Sequence, residues 1–437
     1  MRQLFRERDF LAFFIARQSV ILAYSIESAA IGWQIYSLRH RPFDLGLVGL
    51  ILFLPQLVLA LPAGILADRW DRRRICVYGA LAETSGLCLI GVLSASGNYP
   101  IAVYFWAVAF IGIAHSVGTP AERSVLAGIV RSHQFVRAQA ISSSAGQLVI
   151  IAGPAIAGVL IAIRTPIAFA VSAVCYLSGA AAFSFLNPRD VRVDDDSLWK
   201  SAILGLRFIF SRKVLLGAIS LDLFAVLFGG AISLLPIYAT QILHVGPLGF
   251  GALRSAPAVG SAVVAVIIAR HPIDRRAGPL LFWCVAGFGV FTIVFGISTN
   301  FALSLLALAL SGGFDMVSVV IRSVLVQLRS PDEMRGRVSA VENVFIGASN
   351  QLGMFESGTL AALLGTQVSV VVGGAATLAI ISLWAKLFPA LRKFDRLMAE
   401  YGGCSSLPGR TRRWDGRFAW ITDPEGNRVE LWEPPRR

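Results

Sequence analysis

The stretch "LGLVGLILFLPQLVLALPAGILADRWDRRR", Leu45–Arg74, decides what kind of protein this is. Its first part, Leu45–Leu66, holds no charged side chain. A run of about 20 apolar residues is the length of a helix that crosses a bilayer. The run must be helical, because backbone N–H and C=O groups facing lipid have to be satisfied inside the segment. It ends at Asp68, and Arg69, Arg72, Arg73 and Arg74 follow at once. A membrane helix therefore terminates here in a basic loop.

The rest of the chain repeats this alternation. Of its 437 residues 56% are hydrophobic and only 15% charged, against about 25% charged in soluble domains. Further apolar blocks include Ile101–Ile113, Val259–Ala269 and Val368–Leu387. Turn-rich or charged segments divide the chain into twelve expected spans. These are 10–37, 44–66, 74–95, 101–129, 138–163, 165–187, 212–241, 246–269, 277–298, 301–328, 337–364 and 367–390. The polar start, Met1–Asp9, and the long first block read as an uncleaved N-terminus. The cysteines, Cys76, Cys88, Cys175, Cys284 and Cys404, are scattered without metal spacing and read as small buried hydrophobes.

The net charge of +13 is distributed by topology. If the N-terminus is cytoplasmic, the inner segments before the C-terminal tail hold twenty-one Lys and Arg residues, and the outer loops hold only Arg39, Arg41 and Arg164. The positive-inside rule then places both termini in the cytoplasm. The natural partner of this charge is anionic lipid of the inner leaflet. No nucleic-acid-binding motif accompanies it.

An internal repeat is visible. "RSVL" occurs at Arg123–Leu126 and Arg322–Leu325, "DRR" at Asp71–Arg73 and Asp274–Arg276, and "LG" at Leu45–Gly46 and Leu248–Gly249. The offsets are 199, 203 and 203 residues. Parallel six-helix repeats build one large class of secondary transporters. The chain accordingly divides into a first half at 1–187, a linker at 188–211, a second half at 212–396 and a tail at 397–437.

With these features the chain resembles the major facilitator superfamily. The segment "GILADRWDRRR", Gly64–Arg74, is similar to that family's loop between the second and third helices. The resemblance implies a conformational latch at Gly64, Asp68, Arg72 and Arg73. The family's glycine at the position of Asp71 is missing. The second-half copy, "ARHPIDRRAG", keeps Asp274, Arg275 and Arg276 and lacks the first aspartate. The fifth span carries "GQLVIIAGPAIAG", Gly146–Gly158, which resembles the glycine-proline motif of proton-coupled antiporters. Gly153, Pro154 and Gly158 would bend that helix and let a neighbour approach closely. "WQIY" (33–36), "PAERSVLAGIV" (120–130), "DMVSVVIRSVLVQL" (315–328), "DEMRGRVSAV" (332–341) and "SNQLGMFESG" (349–358) resemble the branch of enterobactin-exporter-like and macrolide-efflux-type pumps. The resemblance covers about residues 1–396. It implies an all-α membrane protein of twelve helices in two six-helix pseudo-repeats.

An ionisable side chain within a span costs about 2.5–3.5 kcal/mol on insertion scales, so such residues mark cavities and function. Glu27 and Asp222 lie in the repeat-related first and seventh spans, which line the cavity in the superfamily, and are the first candidates for carrying protons. Glu356 follows, then Asp315, Glu342 and Arg17. Glu83, Arg254 and His115 are further polar groups inside spans. The competing reading is an interhelical ion pair, with Arg123 or Arg322 as the basic partner. Arg17 and Glu27 are about 15 Å apart along one helix, too far for direct contact.

No H-E-x-x-H, G-x-S-x-G or Walker sequence is present, which argues against a membrane enzyme or an ATP-driven pump. The expectation is a monomeric secondary transporter of a bacterial-type inner membrane. It would use no cofactor, only the proton gradient, to export a small molecule, a drug or a siderophore. An importer or lipid flippase on the same fold, and a non-transporting sensor, are the alternatives.

The tail ends in "RFAWITDPEGNRVELWEPP", 417–435, which suits a hairpin of a soluble protein. It resembles the last hairpin of the glyoxalase/bleomycin-resistance family, where the glutamate matching Glu430 is a metal ligand. About 30 residues supply no further ligands, so Glu430 is expected to be vestigial and the tail to bind no metal.

Overall fold

The computed structural model describes residues 4–97, 99–186, 198–271, 273, 276–394, 417–422 and 428–433. Six long helices form the first half: α1 (Arg8–Arg39), α2 (Pro42–Arg69), α3 (Arg72–Ser96), α4 (Ile101–Ile129), α5 (Ser132–Ile163) and α6 (Thr165–Ser184). A shorter helix, α7 (Leu198–Ser211), lies in the segment expected to link the halves. The second half holds α8 (Lys213–Ile242), α9 (Gly246–Arg270), α10 (Ala277–Ile297), α11 (Phe301–Arg329), α12 (Asp332–Leu364) and α13 (Thr366–Leu387), with a terminal turn, α14 (Pro389–Arg392).

Eleven of these helices are long and apolar enough to cross a membrane. The expected span at 337–364 forms α12, which is 33 residues long but is not one of the eleven. Its sequence explains why: Asn343, Asn350, Gln351 and Glu356 dilute its apolar residues. α12 packs along α2 and α8, and the exposed Asn343 and Asn350 donate to the Ser339 and Ile346 carbonyls of their own helix at 2.8 and 2.9 Å.

Local chemistry sets the helix ends. Asp71 caps α3, its carboxylate accepting the Arg73 backbone N–H at 2.9 Å. Asn300 caps α11 through the Leu303 N–H at 3.1 Å. Gly97 and Gly365 supply the positive φ values of 74° and 90° that end α3 and α12. Within the spans, hydroxyls bond back to carbonyls one turn earlier, as Ser25 does to Ile21 at 2.8 Å. The helix α8 is broken. Gly229 and Gly230 interrupt it, a 3-10 turn covers Ala231–Leu234, and a π turn covers Tyr238–Ile242. Ala231, Ser233 and Leu234 of the break are buried, and Tyr238 anchors the region by donating to the Gly296 carbonyl of α10 at 2.9 Å.

The halves meet along two seams, α2 against α12 and α5 against α9. The buried core is divided unevenly between the ends of the bundle. Towards the end that carries the turns at 40–41, 243–245 and 365, one cluster runs through both halves, joining Ile35, Leu45, Tyr104 and Phe169 with Leu235, Phe250 and Phe295. Towards the end that carries Leu4 and Arg8, the core splits. Phe10, Phe13, Ile75, Val125 and Phe183 form a cluster of the first half alone. Leu221, Leu281, Leu325 and Leu391 form one of the second half, with a further cluster around Ile209, Leu215 and Val338. Among the described residues the buried core is thus joined at one end and divided at the other, where α7 touches both α2 and α12.

In the tail, Arg417–Thr422 (β1) and Arg428–Glu433 (β2) pair antiparallel, with Trp420 opposite Glu430.

Candidate functional site

The first half holds a polar group in its apolar interior. Glu27 of α1 is 4% exposed. It points at α6, where the Tyr176 hydroxyl donates to its Oε2 at 2.8 Å. Ser172, one turn earlier on α6, donates to the Ala23 carbonyl at 2.8 Å and fixes the two helices side by side. Glu83 of α3 is also buried, and its Oε1 lies 3.0 Å from His115 Nδ1 of α4. The His115 ring stacks on Tyr24 of α1 with 4.8 Å between ring centres. Glu27 lies within electrostatic reach of both Glu83 and His115. Glu122, two turns beyond His115 on the same face of α4, lines a small cavity with Glu83, His115 and Thr119.

Glu83 and His115 were separate features in the sequence, and the structure makes them one pair. Glu122 was not singled out at all. The available signal was its spacing of seven residues from His115, which returns it to the same helix face. Arg17 stands apart from Glu27, with its guanidinium 5.9 Å from the centre of the Phe13 ring.

In the second half two acids meet a cation directly. Arg322 of α11 is buried and ion-paired to Asp222 of α8. Its Nε also donates to Glu342 Oε1 of α12 at 2.9 Å. Asp315, two turns earlier on α11, lies within electrostatic reach of Asp222 and Arg322. Three of the candidate acids are thus gathered around one guanidinium. Arg123, the repeat mate of Arg322, is exposed instead, so the "RSVL" copies perform different tasks. Glu356 is half-buried on α12 and accepts from the Ser357 hydroxyl at 3.2 Å.

The glycine-proline segment of α5 lies where the halves meet. A Cβ on Gly158 would sit 2.8 Å from Gly251 Cα and from the Pro247 carbonyl oxygen of α9. A Cβ on Gly251 would sit 2.8 Å from the Pro154 oxygen. Gly153 packs on Ser25 and Gly146 on Ile21, both of α1. The opposite seam repeats the device, since Gly46 of α2 packs on Gly358 of α12. Nearby, Arg254 of α9 donates from Nη2 to Ser28 Oγ of α1 at 3.1 Å, joining the halves.

In the expected latch, Gly64 is half-buried in α2. Arg73 donates from Nη1 to the Leu186 carbonyl at 3.0 Å, satisfying an acceptor just past the end of α6. Arg72 also has an interaction partner. Asp71, which stands where the family has glycine, caps α3 and pairs with Arg74 at 3.6 Å. The Asp68 side chain, Asp274, Arg275 and the Glu430 side chain lie outside the described residues.

The pattern of the transmembrane secretion effector family matches residues 3–401. The chain belongs to that family, within the major facilitator superfamily. Among its relatives is the enterobactin exporter of Citrobacter koseri, 25% identical over 88% of this chain and 93% of the relative. The enterobactin exporter of Shigella flexneri is 24% identical over the same shares. Solved structures share the fold. A bacterial homologue of the lysosomal transporter Spinster, in an inward-facing and occupied conformation, superposes with a TM-score of 0.71 at 12% identity, over 89% of this chain and 99% of that one. A point mutant of the nucleoside transporter NupG gives 0.70 at 12% identity, over 87% and 99%. The protein is a multi-pass membrane transporter of this superfamily and not an enzyme.

Proposed function

We propose that the protein exports a small molecule, a siderophore or a drug, in exchange for protons, by alternating access. The observation that carries the coupling is the pair of buried acids in the first half, Glu27 and Glu83. Among the described residues neither touches an arginine: their partners are the Tyr176 hydroxyl and the His115 imidazole. A hydroxyl and an imidazole can stabilise a carboxylate and can equally accommodate its protonated form, so these acids are free to load and release a proton. Asp222 and Glu342 are held by the Arg322 cation, a pairing that gives them a structural task.

The uneven core supports alternating access. One end is sealed by a cluster common to both halves, while the other has a separate cluster in each half. Rocking one half against the other would exchange these roles. With the N-terminus placed inside by the charge bias, the sealed end faces outward and the divided end faces the cytoplasm of a bacterial-type inner membrane.

The relatives make enterobactin the first compound to test. Inside-out vesicles containing the protein should accumulate labelled enterobactin when their lumen is acidified. Accumulation that ignores the gradient, or that survives unchanged in Glu27→Gln, contradicts proton coupling. Accumulation only under the reversed gradient contradicts export.

A further inference from the structure

We propose that Arg254, with Ser28 and the stacked rings of Tyr24 and His115, forms a subsite for an anionic aromatic group. The inference rests on the export reading for the claim that the bound compound is cargo.

Arg254 carries a charge with no anionic partner among the described residues. Arg254 sits eight residues into α9, about 12 Å along the helix from its start at Gly246. An arginine at that depth is expensive and is normally paired. Here its direct partner is a neutral hydroxyl, Ser28 Oγ. No carboxylate among the described residues lies within ion-pair distance of it. Glu27 is adjacent to Ser28 in sequence, but it is turned onto α6 by Tyr176. A guanidinium carries five N–H donors in a planar fork. Ser28 takes one of them, which leaves a fork suited to a carboxylate, phenolate or similar anion.

Tyr24 precedes Ser28 by one turn of α1, so its ring and the guanidinium share one face of that helix. Tyr24 is 40% exposed and the His115 side chain 39%. Tyr24 stacks on His115 of α4 at an interplanar angle of 19°. One face of α1 thus meets α4 through Tyr24 and α9 through Ser28. Glu83 holds the imidazole from behind at 3.0 Å and fixes the ring plane. A flat ring can lie on this platform while its anionic substituent meets Arg254. The site joins both halves, so its occupation would be felt by the seam that must open during transport.

The test is equilibrium binding to purified protein in lipid nanodiscs, read by tryptophan-fluorescence quenching with no gradient imposed. The probes are salicylate, an anionic aromatic, and salicylamide, its neutral counterpart. Salicylate should bind at least roughly tenfold more tightly to the unaltered protein, in line with a charge-assisted hydrogen-bonded pair. Arg254→Ala should remove that preference while leaving salicylamide binding intact, which also shows that the variant is folded. Arg254→Lys should keep part of the preference. Tyr24→Ala should weaken both probes. Equal affinity for the two probes, no binding of salicylate, or a preference unchanged by Arg254→Ala overturns the subsite. Because no transport is measured, these outcomes are independent of whether protons drive export.

Discussion

At the scale of single residues, the two halves handle buried charge in opposite ways. Arg322 serves Asp222 and Glu342 together, and its side chain is only 3% exposed. Removing it leaves two buried carboxylates without their cation. Arg322→Ala should therefore destabilise the protein by about 3–5 kcal/mol, seen as a lowered Tm in detergent. Replacing all three members with apolar residues should recover most of that loss, because a well-packed apolar set often equals a buried ion group. Glu83 and His115 should behave differently. Glu83→Gln retains a hydrogen bond to the imidazole, so Tm should change little. Gradient-driven accumulation should nevertheless fall by roughly tenfold or more if Glu83 carries protons. Glu83→Gln vesicles accumulating as fast as the unaltered protein would remove Glu83 from the coupling path. Sequence could show that these residues were ionisable and inside spans. It could not show which were matched, because matching depends on helices far apart in the chain, as with Tyr176 and Glu27 or Arg322 and Asp222.

At the scale of elements, the long apolar runs were legible because bilayer thickness imposes both length and helicity. The polar α12 was legible too, since its span was expected at 337–364 and a helix covers it. The apolar pattern carried no sign of the break in α8 at Gly229 and Gly230. The linker also holds α7, whose Gly205 packs tightly against Arg337 of α12. The glycine-proline segment of α5 was recognisable by resemblance, but its partner was not. That partner is Gly251, and the contact leaves no room for a side chain. Gly158→Val should push α5 from α9 and cost about 1–3 kcal/mol as overpacking does, measured by thermal unfolding. Gly358→Val should do the same at α2 and α12, where its Cβ would meet Gly46 and the Pro42 oxygen. Transport should fall in both variants, since both seams close the same end. A Gly158→Val protein with unaltered Tm and transport would show that this crossing is looser in the membrane.

At the scale of the whole molecule, the repeat offsets point to two halves and the charge bias to an expected orientation. They could not indicate which end is sealed, because under the alternating access proposed above one sequence serves both states and its patterns are shared between them. The structure resolves this by the single cluster that joins the halves around Ile35, Leu235 and Phe250. Gly32 of α1 faces Pro236 of α8 across that end, and a Cβ on Gly32 would lie 4.0 Å from Pro236 Cγ. The two positions are thus close neighbours, within reach of a short thiol-specific bifunctional reagent. In a protein whose five native cysteines are replaced by serine, Gly32→Cys with Pro236→Cys should be joined by a short bis-methanethiosulfonate cross-linker. The link should stop transport, and reduction should restore it, because the sealed end must part for cargo to leave. Binding of a small ligand from the opposite end should survive the cross-link, since that end is already divided. Undiminished transport by the fully cross-linked protein would mean that this end stays closed throughout the cycle, and that cargo leaves by a route other than the one between the halves.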